Sequence, residues 1–369
     1  MNRKPLKLAF IGGGNNSAVG YVHFCASQLD NYFKVVAGAF SRNKQVNIET
    51  ADKWGIAPER TYNNWKTLLE SEKDEIDAVA ILTPTPNHLE ALLYALELNI
   101  PIICEKSLVS GPSEIEQLEK VYDKSKHYLA VTYNYSGYPM VRELKQRISK
   151  GQLGKIQKIV LEMPQEGFKR PPDIAGKKAM PQAWRLQDGE VPTICLDLGV
   201  HLHHMAHFLT GQEPCSVLAQ ASNHSDYNGL VDDMQLLLKY TNDVVGSMWI
   251  SKTAIGHRNG LNIRVYGDQG SAFWHQLNPD ELQLNYASGL RETLDRGSEC
   301  EVASIYEYNR MKPGHPSGFI EAFANLYRDF ANDLYKMKGG KRIEQTDFLI
   351  SKMGLMLFSK AYQSSKKNY

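Results

Sequence analysis

The 369-residue chain is predicted to be an α/β protein with a parallel sheet in its first part and a largely antiparallel sheet in its second. Over the first 150 residues, short apolar runs alternate with helical patterns, which is typical of βαβ units. From about residue 151, longer half-polar strands follow one another and are separated by turn-forming clusters. Because the length exceeds what one hydrophobic core usually serves, two domains are expected, at 1–150 and 151–369.

The individual elements follow from these patterns in chain order. The first five strands are predicted at LKLAFIG, KVVAGAF, DAVAIL, IPIIC and YLAVTY, with intervening helices such as NHLEALLYALEL. Later strands are predicted at KIQKIVLEM, MQLLLKYTNDVVGSMWIS and LNIRVYGDQGSAFWHQL, in which the Thr-Asn-Asp and Gly-Asp-Gln-Gly clusters indicate turns. Two helices, GFIEAFANLYRDFANDLYKM and QTDFLISKMGLMLFSKAYQSS, close the chain, and we expect them to pack on either domain, including back on the first.

Composition excludes several classes of protein. A net charge of +1 with 22% charged residues indicates neither a nucleic-acid partner nor a membrane surface. No apolar stretch approaches the length of a transmembrane helix, and the segment MNRKPLKLAFIGGG is interpreted as a first strand rather than a signal peptide. The five cysteines are odd in number and scattered, so neither a disulfide framework nor a zinc ribbon is indicated and a cytoplasmic location is expected.

The first chemical motif is FIGGGNNSA, at the end of the first predicted strand. Gly12 allows a tight turn, Gly14 allows the backbone to approach a pyrophosphate, and a helix is expected to begin near Ser17. Ser17 replaces the third glycine of the dinucleotide-binding pattern G-x-G-x-x-G. The candidate cofactor-binding residues of this turn are Gly12, Gly14, Asn15, Asn16 and Ser17. The alternative is a tight turn that binds no ligand.

The second motif is VVAGAFSRN, at the end of the second strand. A carboxylate at this place would bind the ribose 2′-hydroxyl of NAD, but the sequence has Ser41 and Arg42 instead. A hydroxyl and a guanidinium suit a 2′-phosphate. The predicted cofactor is therefore NAD(P), with a preference for NADP. Alternatively, Arg42 is a solvated loop residue that stacks on adenine with either cofactor.

Two further strands end in polar clusters, within ILTPTPNHLEALLYALELNIPIICEKSLVSG. Ligands of open α/β sheets bind at the carboxyl ends of the strands, so both clusters are expected to face the cofactor. The additional candidate cofactor-binding residues are Thr83, Pro84, Asn87, His88, Glu105 and Lys106.

The segment LDLGVHLHHMAHFLTG combines one aspartate with four histidines on a predicted helix. At about 100° per residue, Asp197, His201 and His204 share one stripe, whereas His203 and His207 point to solvent. Three hypotheses remain open for the shared stripe: a zinc site, histidines that are merely satisfied near the surface, and a catalytic set. Because no second cluster of ligands is evident, no metal is predicted.

Taken together, these motifs resemble the Gfo/Idh/MocA family of NAD(P)-dependent oxidoreductases. The segments that carry the resemblance occur in the expected order along nearly the whole chain and are GGGNNSAVGYVH, TPTPNH, CEKS, VTYNYSGYPMVRE, GQLGKI, AWRLQ, LDLGVHLHHMAHFLTG, RVYGDQG and HPSGFIEAFANLY. The resemblance implies an N-terminal Rossmann domain with a doubly wound parallel sheet, followed by an α/β substrate-binding and oligomerisation domain with a large, open, mostly antiparallel sheet. It also implies oxidation or reduction at hydroxyl and keto carbons of sugars, inositols and related polyols.

By motif, the resemblance makes Lys106 the family lysine, Asp197 the aspartate and His201 the catalytic histidine. We expect His201 to take the hydroxyl proton as general base, Lys106 to hydrogen-bond the same oxygen, and Asp197 to hold a substrate hydroxyl and orient His201 or Lys106. Lys106 as the base is the alternative. Two positions depart from the family pattern: Ser107 replaces the proline of E-K-P, and His204 replaces a second aspartate.

The substrate is expected to be a small carbohydrate or polyol. Candidate substrate-binding residues are His204, Tyr135, Tyr138, Trp184 and Arg185. Apolar residues on both alternating sets of the late strands predict a homo-oligomer, a dimer or tetramer, formed through the open sheet face. The alternative function is a catalytically silent regulator or sensor that binds a dinucleotide with the same fold.

Overall fold

A computed structural model describes residues 4–171, 180–343 and 346–367. Its strands are β1 (Leu6–Gly12), β2 (Phe33–Ala39), β3 (Ala78–Leu82), β4 (Ile102–Cys104), β5 (Leu129–Val131), β6 (Ile156–Pro164), β7 (Pro214–Ser222), β8 (Asp233–Tyr240), β9 (Val245–Ser251), β10 (Asn262–Gly267), β11 (Gly270–His275), β12 (Leu282–Tyr286) and β13 (Arg291–Leu294). Its α-helices are α1 (Gly20–Gln28), α2 (Lys44–Trp54), α3 (Trp65–Glu72), α4 (His88–Glu97), α5 (Pro112–Glu119), α6 (Pro139–Ser149), α7 (Val200–Thr210), α8 (Phe319–Lys338) and α9 (Asp347–Lys367).

The chain divides into two compact units. The first comprises residues 1–109, 113–137 and 319–349, and the second comprises residues 110–112, 138–318 and 350–369. The sequence predicts a boundary at residue 150, whereas this division places α6 in the second unit because α6 packs on α7, β11 and β12. Helix α8 packs on α1 in the first unit, and most of α9 belongs to the second.

The first unit contains a parallel sheet with the strand order β2-β1-β3-β4-β5. Four of the five strands lie within the predicted apolar runs and β2 begins one residue before its run, so the predicted parallel sheet is confirmed. Helices α1 and α8 close its core, in which large aromatic side chains such as Phe10, Phe33 and Tyr327 are almost fully buried. The strand order reverses between β1 and β3, which is the point at which open α/β sheets bind ligands.

The second unit contains an eight-stranded sheet with the order β13-β12-β11-β10-β6-β9-β8-β7. Strands β6 and β9 run parallel and the other neighbouring pairs run antiparallel, so the predicted mostly antiparallel sheet is confirmed. The predicted turns lie at Thr241–Asp243, between β8 and β9, and after Gly267, between β10 and β11. Strand β8 alternates buried and exposed side chains, as expected of a sheet with one covered face.

Candidate functional site

The turn after β1 is shaped by three consecutive glycines. Gly12 and Gly13 have φ values of +78° and +73°, in the left-handed region that side chains disfavour. A Cβ on Gly14 would lie 3.1 Å from the carbonyl oxygen of Phe40. The backbone therefore turns tightly and leaves room that any side chain at these positions would fill.

Helix α1 begins later than predicted, at Gly20 rather than near Ser17. A Cβ on Gly20 would lie 1.9 Å from the carbonyl oxygen of Gly13, so the start of α1 packs directly on the glycine turn. Ser17 instead accepts hydrogen bonds at its Oγ from the backbone N–H groups of Val19, at 3.4 Å, and Gly20, at 3.2 Å. The fixed spacing of the G-x-G-x-x-G pattern predicted the start of the helix too early because the turn of this chain is longer.

The loop after β2 is held by a buried asparagine. Asn47 accepts a hydrogen bond from the backbone N–H of Phe40 at 2.8 Å, and its own amide donates to the backbone of a neighbouring loop. Ser41 Oγ accepts from the backbone N–H of Asn43 at 3.1 Å. Arg42 extends from this fixed loop and is exposed. Its guanidinium is therefore accessible to an anionic ligand at the end of β2.

The loops after β3 and β4 are joined by His88, which is fully buried. Its Nε2 lies 2.7 Å from the carbonyl oxygen of Thr83, and its Nδ1 lies 2.9 Å from the carbonyl oxygen of Ser107. Burial lowers the pKa of His88 despite these carbonyls, which favour the charged form. His88, which the sequence predicts to bind the cofactor, contacts the backbone of both loops with its two ring nitrogens. Pro84 and Asn87, in the same turn, are exposed.

Glu105, at the end of β4, lies in a buried network of hydrogen bonds. Its carboxylate is 3.1 Å from His23 Nε2 and accepts from the hydroxyl of Thr132. His23 Nδ1 lies 2.8 Å from the hydroxyl of Tyr327 on α8. Burial alone would raise the pKa of Glu105, but His23, the adjacent Lys106 and Thr132 lower it below its usual value. The next residue, Lys106, is partly exposed, and its peptide bond to Ser107 is cis.

These features fit a dinucleotide at the end of the parallel sheet. Thr83 Oγ1 is buried and has no hydrogen-bond partner within the described part of the chain. A Cβ on Gly12 would lie 3.0 Å from the backbone of Leu82 and Thr83. The glycine turn offers backbone N–H groups at the start of a helix, where phosphates bind. The cradle and the unsatisfied hydroxyl both suit a ligand that lies across the ends of β1 and β3.

In the second unit, Asp197 lies between two cations. Its Oδ1 is 2.7 Å from Arg185 Nη1, and its Oδ2 is 2.6 Å from Lys252 Nζ. The carboxylate side chain is 13% exposed, so it depends on these partners for charge compensation. The guanidinium of Arg185 also lies over the ring of Trp184, 4.5 Å from its centroid. The structure thus brings the predicted residues Asp197, Arg185 and Trp184 together and adds Lys252.

Lys252 and the turn that carries Asp197 are the features that the sequence analysis missed. The five residues Cys195–Gly199 form a π-helical turn, and the backbone N–H of Val200 donates to the carbonyl of Cys195. A spacing of 100° per residue therefore does not hold between Asp197 and His201. Lys252 directly follows β9, so the polar segment Ser-Lys-Thr at a strand end is the signal that could have identified it.

The prediction that His203 and His207 face solvent was wrong. His203 is 1% exposed, and its Nε2 lies 3.1 Å from the carbonyl oxygen of Ile350. Gly354 of α9 lies against its ring, where a Cβ would be 2.8 Å from Cδ2. His207 is half-buried. The helical periodicity identified one covered side of α7, but α9 covers the opposite side as well.

The two histidines predicted to act on the substrate are also largely buried. His201 is 5% exposed and His204 is 6% exposed. The ring of His204 stacks on Phe208 with centroids 5.7 Å apart. Burial, and then the neighbouring histidines and Lys145, hold the pKa of His204 well below its usual value. His204 is therefore a neutral imidazole at physiological pH.

The predicted substrate tyrosines lie in different units and are both buried. Tyr135 belongs to the first unit and packs edge-on against Phe319, with ring centroids 6.3 Å apart. Tyr138 belongs to the second unit and packs against Trp274 at 5.3 Å. Only about 4% and 3% of their surfaces are exposed, so aromatic packing occupies most of each ring.

The geometry at Asp197 does not support the alternative hypothesis of a zinc site with His201 and His204, because both carboxylate oxygens pair with cations. Over residues 4–171, 180–343 and 346–367, no group of three or more histidine, cysteine, aspartate or glutamate side chains is placed to hold a metal ion. In the same part of the chain, no helix is both long and apolar enough to cross a membrane.

Comparison with protein families gives two matches that together span more than half of the chain. A model described as an oxidoreductase family with an NAD-binding Rossmann fold matches residues 6–133. A model of the GFO/IDH/MocA C-terminal domain matches residues 141–273. The two matches fall on the parallel sheet of the first unit and on much of the second unit.

Individual relatives are similar over most of their length. The uncharacterized oxidoreductase YfiI of Bacillus subtilis is 31% identical over 89% of this chain and 85% of its own. Levoglucosan dehydrogenase of Pseudarthrobacter phenanthrenivorans is 26% identical over 85% of this chain and 82% of its own. Among solved structures, one similar protein is an inositol dehydrogenase homolog from Azotobacter vinelandii, complexed with NADH and myo-inositol. It superposes with a TM-score of 0.88 and is 26% identical, and the match covers 99% of this chain and 96% of that chain.

The burial of His203 predicts a specific pH dependence of stability. Burial, and then the nearby His207, lower its pKa from 6.5 to about 4 in the folded protein. The unfolded chain therefore binds this proton at a higher pH than the folded protein, and stability falls as the pH is lowered from 6.5 to 4. His203→Gln keeps a donor for the Ile350 carbonyl but does not titrate. Over this interval its unfolding free energy should fall by about 3 kcal/mol less than that of the wild type.

Urea unfolding at a series of pH values measures this difference. His224→Gln is the matched control because the side chain of His224 is exposed. An equal fall in stability for the wild type and His203→Gln would show that His203 is not buried in its neutral form.

Proposed function

The chain belongs to the Gfo/Idh/MocA family of oxidoreductases, and on that basis we propose that it transfers a hydride between a nicotinamide cofactor and a hydroxyl or keto carbon of a sugar, inositol or related polyol. Among the proteins it is similar to, one is named for levoglucosan and another is complexed with myo-inositol. Both ligands are cyclic and rich in hydroxyl groups. A small neutral polyol is accordingly the proposed substrate class.

The first unit holds the cofactor in this proposal. When bound, the nicotinamide accepts or donates the hydride, and the protein supplies position and charge. The glycine turn, the exposed Arg42 and the buried, unsatisfied Thr83 hydroxyl support this assignment. The proposed binding residues are Gly12, Gly14, Asn15, Asn16, Ser17, Ser41, Arg42, Thr83, Pro84, Asn87, Glu105 and Lys106. His88 acts on the cofactor through the two loop backbones that it joins.

The observation that carries the proposed chemistry is the ion-paired Asp197, which lies one turn before the buried His201. His201 takes the proton of the reacting hydroxyl as general base, and Asp197 orients it and holds a substrate hydroxyl. Lys106 donates a hydrogen bond to the reacting oxygen and stabilises negative charge there. The alternative mechanism, in which Lys106 is the base, is tested by the turnover of His201→Ala.

Other side chains are proposed to contact the sugar or polyol. Arg185 and Trp184 are supported by their position beside Asp197. His204 is supported by its neutral imidazole, which can both donate and accept a hydrogen bond. Tyr135 and Tyr138 are buried against other rings, so they are proposed to contribute only the hydroxyl edge.

His201→Ala should lower kcat for polyol oxidation by roughly 10²–10⁴-fold while the affinity for the cofactor persists, because a general base is lost and the glycine turn is untouched. Lys106→Met should be comparably damaging, and the double variant should be less than additive if both residues serve one oxygen. The measurement is steady-state turnover of a panel of cyclic polyols and sugars with NAD⁺ and NADP⁺, followed by nicotinamide absorbance. His224→Ala, at an exposed histidine of the same unit, is the control.

Normal turnover by His201→Ala would move the base to Lys106. Cofactor binding without turnover of any compound in the panel would instead support the silent regulator, since such a protein requires only the dinucleotide site. Fluorescence titration with reduced cofactor distinguishes this outcome from loss of folding.

Within the nicotinamide cofactors, we propose a preference for NADP. Arg42 is exposed at the end of β2, beside Ser41, and no carboxylate follows that strand to bind a ribose 2′-hydroxyl. Arg42→Ala should therefore weaken NADPH by tenfold or more, since a charge-assisted hydrogen bond contributes roughly 1.5–3 kcal/mol, and should weaken NADH less.

Fluorescence titration of both reduced cofactors measures this difference, and Lys44→Ala is the control because it removes a neighbouring exposed cation. Equal weakening of both cofactors would mean that Arg42 contacts a part that they share, as expected for stacking on adenine.

We also propose a homo-oligomer, a dimer or tetramer, that forms through the open face of the large sheet. Leu218 and Leu237 are paired across β7 and β8, and they are 62% and 65% exposed. Together they form an apolar patch on the uncovered face, and such patches mark interaction surfaces.

Light scattering at micromolar concentrations should give a particle heavier than the 41.7 kDa chain. Leu237→Lys should shift it toward that mass, whereas Leu29→Lys, at an exposed leucine of the first unit, should not. A 41.7 kDa particle for the wild type at all concentrations would exclude this assembly.

The location of the protein is proposed to be cytoplasmic. All five cysteines are free thiols, and two of them, Cys104 and Cys195, are buried. Burial raises the pKa of both buried thiols well above the usual value, so they stay protonated and unreactive. Free thiols are typical of proteins from reducing compartments.

A further inference from the structure

Lys252 is a largely buried lysine outside every motif that the sequence analysis identified. Its side chain is 14% exposed, and its Nζ lies 2.6 Å from Asp197 Oδ2. The same Nζ donates to Gln165 Oε1 at 2.7 Å. A lysine that is largely buried requires such partners, because its charge is costly to remove from water. Lys252 is thus fixed between a carboxylate and an amide carbonyl.

The amide that supports Lys252 is itself held in one orientation. Gln165 Nε2 donates to Asn259 Oδ1 at 2.7 Å, and Asn259 Nδ2 donates to Gln276 Oε1 at 2.9 Å. Because each amide in this row donates to the next, the carbonyl of Gln165 has to face Lys252. The backbone N–H of Gln165 also donates to the carbonyl of Ser251, which precedes Lys252. The row of amides therefore fixes the ammonium through a second partner in addition to Asp197.

Each oxygen of the Asp197 carboxylate pairs with a different cation. Arg185 binds Oδ1 and Lys252 binds Oδ2, so rotation of the carboxylate about its Cβ–Cγ bond would break an ion pair. The side chain of Arg185 is 32% exposed. The side chain of Lys252, at the end of β9, is only 14% exposed. Lys252 is accordingly the more rigid of the two partners.

We propose that Lys252 is a positioning residue for the reaction: it holds the carboxylate of Asp197 in the one orientation from which Asp197 can align the imidazole of His201. Lys252 acts through Asp197 and takes no proton itself. This role rests on the proposed function of Asp197 and His201. It also gives a role to the π-helical turn at Cys195–Gly199, since such turns often mark functional sites and here the turn carries Asp197, which pairs with two cations.

Lys252→Met removes the ammonium and keeps the length of the side chain. It should lower kcat for the polyol by about 10–100-fold, similar to the effect of removing the hydrogen-bond partner of a metal-ligating side chain, with the dissociation constant of the cofactor unchanged. Lys252→Arg, which restores a cation, should recover most of kcat, and Lys252→Gln should not. Lys312→Met, at an exposed lysine of the same unit, is the control. A purely structural role would lower stability without separating Arg from Gln at this position.

Equal kcat values for the wild type and Lys252→Met would overturn the inference. So would a raised KM for the polyol at unchanged kcat, because that result would make Lys252 a direct substrate contact. If the wild type turns over no polyol, the proposed function fails instead, and urea unfolding of Lys252→Met, Asp197→Asn and the double variant still tests the pair. Non-additive shifts in the unfolding midpoint support the pairing that the inference requires, and additive shifts exclude it.

Discussion

Charge compensation of a nearly buried carboxylate is the constraint on which the second unit depends. Removing one partner of such a pair leaves an uncompensated charge and costs about 3–5 kcal/mol. The cations of Asp197 come from a short turn before the π-helical segment and from the residue after β9. Lys252 directly follows β9, which is paired with β6 and β8 in the large sheet. The ion pair with Lys252 therefore connects the candidate site to the large sheet.

The first unit also contains a buried carboxylate, and its hydrogen-bond partners are of a different kind. Glu105 is buried at the end of β4 and is stabilised by an imidazole and a hydroxyl rather than by an arginine. The imidazole belongs to His23, whose other nitrogen contacts Tyr327, 304 residues away in sequence. This hydrogen bond attaches α8 to the first unit, in addition to the apolar packing of α8 on α1. The segment that presents Lys106 is thus held by residues from both ends of the chain.

The features that the sequence predicted are those encoded by neighbouring residues. Strand periodicity located the first sheet and five of the eight strands of the second, but not β7, β12 or β13. The glycine cluster located the turn after β1, because backbone freedom is a local property. The burial of His203 was missed because it depends on α9, some 150 residues later. Lys252 was missed because its pairing with Asp197 spans 55 residues and nothing near either residue requires it. The late start of α1 was missed because the G-x-G-x-x-G pattern assumes a turn of fixed length, and the turn of this chain is longer.

The parallel pairing of β6 with β9 has a topological consequence for the large sheet. In an antiparallel pair, consecutive strand ends lie at opposite edges, so residues that follow two neighbouring strands point away from each other. Strands β6 and β9 end together, with Pro164 beside Ser251, and Gln165 and Lys252 therefore leave the sheet side by side. The carboxyl ends of β6 and β9 therefore lie at the same edge of a mostly antiparallel sheet. In parallel sheets, such an edge is where functional groups are found. The long connection between β6 and β9 contains α7, β7 and β8, and Asp197, in the π-helical turn before α7, pairs with Lys252 at this edge.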